Sequence, residues 1–176
     1  MLRDRPAGMR ALPCYFLLVT HGNLATVSAM LSKPLLHAGG ESQPPILLKA
    51  GPLTLLSEPD TACLRHIRLG DHEVVRAIYA AVRDQNWATI VPKVTLREQT
   101  SNADSFHLVF DCVCQGEGID FFWNGTITGE ASGKIRFTFD GVANSDFLRN
   151  RIGICILHPI VECAGKSVAI EHPDGR

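Results

Sequence analysis

Between Phe106 and Asp140 the chain alternates apolar and polar residues in three successive runs, joined by two short glycine-bearing connections. "FHLVFDCVC" sets Phe106, Leu108, Phe110, Cys112 and Cys114 in one phase. "IDFFWNGTI" does the same with Ile119, Phe121, Trp123 and Ile127, and "KIRFTFD" with Ile135, Phe137 and Phe139. Side chains alternate across a strand with period two, so each run presents a single apolar face. "QGEG" (115–118) and "GEASG" (129–133) have hairpin length, with glycine where a positive φ is often needed. Three hairpin-linked strands in the same phase place their aromatic residues in one core.

Other segments extend this pattern. Gly70-Asp71 reads as a two-residue turn between "CLRHIRL" and "HEVVRAIYAAV". Val74, Ile78 and Val82 fall at helical spacing in the second segment, but its β-branched content and the turn before it favour a strand. "TIVPKVTLRE", "RIGICILHP" and "KSVAIEH" supply further strands, and Pro92 marks its strand as an edge or as bulged. Eight or nine short strands without a long helix define an all-β fold, an antiparallel β-sandwich or open barrel.

The domain is expected to occupy residues 46–176. Residues 1–45 lack a sustained period and end in "HAGGESQPP", which has the composition of a linker. Within them, "ALPCYFLLV" after Met9-Arg10 and "VSA" at 27–29 resemble parts of a signal peptide. The polar "THGN" interrupts that segment, which favours an upstream extension and a cytoplasmic protein.

Lys and Arg number 17 against 18 Asp and Glu, with no basic stripe, which argues against nucleic acid and anionic membrane surfaces as partners. No apolar run is long enough to cross a bilayer as a helix. The six cysteines form no C-x-x-C pair, and Cys112 and Cys114 fit buried, reduced thiols. No zinc-ligand spacing, nucleophile elbow, P-loop or dinucleotide fingerprint is present, so no cofactor and no catalytic residue is assigned.

Candidate ligand-binding residues lie in two segments. In "FLRNRIGICILHP" (147–159), Arg149 and Arg151 share a strand face with Gly153, Cys155 and Leu157, while Asn150, Ile152, Ile154 and Ile156 share the other with His158. Both faces are largely apolar beyond Arg151, so the strand is expected to run through a two-layer interior. The arginines at its mouth suit a carboxylate or a sugar oxygen, or an ion pair with a rim residue such as Asp146. His158, at a strand end before Pro159, suits a base, a ligand or a backbone hydrogen bond. In "VRDQNWAT", Asp84, Asn86 and Trp87 suit sugar stacking, and equally a loop anchored by a buried tryptophan.

"KAGPLTLL", "LRHIRLGDHEVVRAIY", "VRDQNWAT", "DFLRNRIGICILHP" and "AGKSVAIEHPDG" occur in this order between about Lys49 and Gly175. Together they resemble the N-terminal region of the bacterial D-apionate lactonase family. That resemblance implies hydrolysis of D-apionolactone to D-apionate by the full-length proteins, in catabolism of the branched sugar apiose. It implies a sugar lactone or other carbohydrate as ligand. It also implies a C-terminal β/α-barrel-like partner region that carries catalysis, and a truncated chain that is inactive alone. Ala88 departs from the glycine expected after the tryptophan. A self-contained carbohydrate-binding or mutarotase-like sandwich is the alternative. A deep polar cleft lined by histidine and carboxylates would favour that alternative, and a broad apolar face exposed near the C-terminus the lactonase domain.

Overall fold

The computed structural model describes residues 43–167 and residue 169. Among these residues nine strands follow one another: β1 (Ile46–Ala50), β2 (Leu53–Glu58), β3 (Cys63–Leu69), β4 (His72–Asp84), β5 (Lys93–Ser101), β6 (Phe106–Gly116), β7 (Ile119–Gly129), β8 (Ile135–Ala143) and β9 (Arg149–Leu157). A four-residue helix, α1 (Ile160–Cys163), closes the described part. All pairings are antiparallel. The strands form a five-stranded sheet in the order β1-β2-β3-β4-β9 and a four-stranded sheet in the order β5-β6-β7-β8. The fold is therefore a sandwich and not an open barrel.

Turn chemistry sets the register. Glu117 and Gly118, with φ of 52° and 79°, make the two-residue link between β6 and β7. Two successive positive φ values match the right-handed twist of a hairpin. Gly70 (φ 59°) and Asp71 link β3 to β4 in the same number of residues. The segment with both helical and strand character is thus one 13-residue strand, β4. At Gly51 (φ 53°) the backbone between β1 and β2 passes so close to the Ala131 carbonyl that a Cβ would collide with it.

The expected aromatic core is present. Phe106, Phe110, Phe121, Trp123, Phe137 and Phe139 are all at most 5% exposed and belong to one cluster. Inward residues of the other sheet complete that cluster: Leu48, Leu53, Leu55, Leu64, Ile67, Val75, Ile78 and Val82. Inward glycines make room for the rings. At Gly125, placed in register between Phe110 and Phe139, a Cβ would stand 2.6 Å from the Trp123 ring.

Cys112 and Cys114 are buried in the same phase as the phenylalanines, and burial pushes both thiols up. The Cys63 thiol is likewise pushed up, to about 12, chiefly by burial. Thiols held in that form are poor nucleophiles at neutral pH and act here as small apolar side chains.

Several expectations change in detail. β1 and β2 are additional to the strands expected from alternation, because "ILLKAGPLTLL" is nearly continuous in apolar residues and carries Pro52. β5 begins only after Pro92; it is an edge strand and its register shifts between Leu96 and Glu98, as Pro92 suggested. β9 does not run through the interior. Among the described residues it is the edge strand of the five-stranded sheet, paired only with β4. Ile152, Ile154 and Ile156 pack on the core, while Arg151 and Leu157 on the opposite face are exposed. On that outer face Ala77 lies opposite Leu157, Tyr79 opposite Cys155 and Ala81 opposite Gly153. Of the strand expected at "KSVAIEH", Lys166, Ser167 and Ala169 are described and belong to no strand, while the rest of it and most of residues 1–45 lie outside the described residues.

Candidate functional site

β4 ends in a tight reversal, and Asp84 builds it. The backbone N–H groups of Asn86 and Ala88 both donate to Asp84 Oδ1 at 2.8 Å. The Asp84 N–H donates to the Ala88 carbonyl at 3.0 Å, and the Trp87 N–H to the Asp84 carbonyl at 3.3 Å. Asp84 is only 9% exposed, and its Oδ1 is occupied in shaping this loop. Short polar side chains that bond backbone a few residues on are standard turn makers. The reversal puts Trp87 at φ 72° and leaves its indole 54% exposed. The tryptophan is thus displayed, not used as a buried anchor. Ala88 does not adopt a positive φ, so alanine substitutes for glycine there without backbone strain.

The β4–β9 pairing brings the two candidate segments together. Arg83 is in register with Arg151, and Asp84 with Arg149. The guanidinium carbons of Arg83 and Arg151 lie 6.0 Å and 5.9 Å from the Trp87 ring centroid. These are cation–π distances. Arg151, Trp87 and Asp84 therefore form one constellation, to which the pairing adds Arg83. His158 is not part of it. It is exposed at the far end of β9, roughly 20 Å from Arg151 at the usual rise per strand residue.

Arg83 was missed because its importance depends on which strand lies beside β4. Nothing local in "VRDQNW" says that the neighbour is β9. Beside the constellation, a shallow open depression is lined by Asp84, Asn86, Glu117, Asp146 and Phe147, with no histidine. A second polar cluster lies on β3 and β4. His66 Nδ1 is 2.7 Å from Glu73 Oε1, and Arg76 Nη2 is 2.8 Å from Glu73 Oε2. His66 has φ 51° beside the irregular register of β3, and Glu73 is 8% exposed with both oxygens occupied. This network braces a hairpin.

Replacing Asp84 with alanine is expected to cost about 1.5–3 kcal/mol, the range for hydrogen bonds to a charged group, and to change the emission of Trp87. Asp84→Asn, which keeps an acceptor, should recover most of the stability. Urea unfolding of both variants gives the comparison. Equal stability of Asp84→Ala and the parent would show that the turn stands without the carboxylate.

Fold and site define an all-β sandwich domain whose β4–β9 seam carries a cationic, aromatic rim. The chain matches the family model described as D-apionate lactonase, N-terminal domain, over residues 35–176, and it belongs to that family. The match starts upstream of Lys49 and takes in residues 35–45. A D-apionate lactonase of Brucella anthropi is 37% identical over 134 residues, covering 74% of this chain and 21% of the relative. The chain thus spans about a fifth of the length of that curated relative. No solved structure matches.

Proposed function

We propose that this chain is the accessory β-domain of a bacterial, cytoplasmic D-apionate lactonase-like protein acting in apiose catabolism. In this reading, hydrolysis of the sugar lactone is carried by a barrel-like region beyond the match. The domain supplies a packing surface and a rim for the carbohydrate, with Arg149, Arg151, Asp84 and Trp87 on the ligand side. His158 belongs with the packing surface.

The observation that carries this reading is the exposed apolar group at the end of β9 and the start of α1. Ile160 is 79% exposed, Val161 90% and Leu157 43%. Adjacent apolar residues at this exposure on a soluble fold mark a surface that packs against something else. A family relative of which the matched segment covers only 21% supplies the candidate partner region.

The test is a chimera in which residues 35–176 of this chain replace the matching N-terminal region of the Brucella anthropi lactonase. Acid release from D-apionolactone is followed by pH-stat. The chimera is expected to turn over the lactone, and Ile160→Asp with Val161→Asp to lower that turnover. A folded chimera without turnover, beside an active parent, would count against the proposal.

A further inference from the structure

Three features that each oppose stability meet at one end of the β4–β9 seam. Trp87 holds φ at 72°, where a bulky residue is a genuine outlier. Its indole is 54% exposed, although a ring of this size ordinarily gains by burial. Arg83 and Arg151 face each other in register across two strands, and like charges placed directly opposite repel. Strain and repulsion concentrated at one spot are expected where the fold serves a ligand.

The two guanidinium groups also lack a carboxylate in direct contact, although Asp84, Glu117 and Asp146 line the neighbouring depression. Neither Arg83 nor Arg151 forms an ion pair among the described residues. Asp84, the nearest carboxylate in sequence, has Oδ1 engaged by the backbone N–H groups of Asn86 and Ala88. The Trp87 ring attracts both guanidinium groups, at 6.0 Å and 5.9 Å, but an aromatic quadrupole does not neutralise them.

We propose that Arg83, Arg151 and Trp87 form a binding platform for a sugar acid, a polyhydroxylated ligand carrying a carboxylate. This rests on the carbohydrate-facing role proposed above and narrows it to the anionic form of the ligand. Planar guanidinium groups fork onto a carboxylate, and two of them side by side favour an anion over a neutral sugar. The displayed indole offers an apolar face to the C–H groups of the polyol, which a bare anion lacks. Arg83 thereby becomes a ligand-binding residue alongside Arg151.

The full 176-residue chain is titrated at constant ionic strength with sodium D-gluconate, sodium D-galacturonate, D-glucitol and sodium acetate. Tryptophan fluorescence is the readout: Trp123 is 1% exposed, so a ligand-dependent change reports on Trp87. At least one sugar acid is expected to saturate with a millimolar Kd. Gluconate alone would identify a free aldonate and galacturonate alone a uronate; both together would identify the shared chemistry. Glucitol and acetate should bind at least about tenfold more weakly, and Arg83→Gln and Arg151→Gln should each weaken the sugar acid by at least about tenfold with no fall in Tm.

Calorimetry on the same variants gives a second readout that does not depend on the indole. The proposal is overturned if neither sugar acid saturates, if glucitol or acetate matches them, or if both arginine variants keep parental affinity. Binding is read on this chain alone and lactone turnover on the chimera, so failure of one leaves the other result standing.

Discussion

Replacing Phe137 with alanine is expected to lower the unfolding free energy by about 3–5 kcal/mol. Phe137 is 1% exposed, lies opposite Ile127 of β7, and has its ring 6.5 Å from that of Trp123. Truncation removes the ring from the packed interior between the two sheets, where the backbone has little freedom to collapse. Domains of this size have total stabilities of roughly 5–15 kcal/mol, so the loss is a large share. Phe122 is the control. It sits on β7 in the opposite phase and is only half-buried, so Phe122→Ala should cost clearly less. Urea unfolding with unchanged m-values checks both. Equal losses at the two positions would contradict the phase assigned to the sheet.

The second large effect concerns activity. The 176-residue chain alone is expected to release acid from D-apionolactone no faster than the buffer blank. Lactone hydrolysis needs a positioned base or activated water, and donors aimed at the developing oxyanion. The described residues do not bring such groups together. His158 is exposed and roughly 20 Å from Arg151, and His66 is held by Glu73 on another hairpin. The measurement is acid release with and without the chain, with the Brucella anthropi relative as positive control. Turnover above the blank that disappears in His158→Ala would move the reaction into this domain.

Local pattern and long-range pairing were unequally legible in the sequence. The hairpins from β6 to β8 could be read because strand phase, loop length and glycine position are all local properties, and they agree. Phe106 to Phe139 consequently fell into one core as expected. β1 and β2 were hidden because a strand with few polar residues loses its period. β9 was misplaced because apolar residues on both faces suggest an interior strand, whereas among the described residues it pairs on one side only, with β4. At the site, Asp84, Trp87 and Arg151 were legible as residue types suited to a carbohydrate. Their convergence was not, nor was Arg83, since both depend on β4 pairing with a strand that comes five strands later.

That pairing has a kinetic consequence. β1 to β4 and β5 to β8 each join sequence neighbours through short connections, whereas β9 reaches β4 only after the whole second sheet has intervened. Closing so long a segment costs chain entropy before any contact is gained, so the β4–β9 seam is expected to form late in folding. As an outer seam of the sheet, it is also among the first places where the native state opens locally. The amides of Ile152 and Ile154 should therefore exchange with solvent sooner than those of β7. The indole and its two guanidinium groups belong to the last part of the molecule to be assembled, and occupation of the platform would act as a latch on that seam.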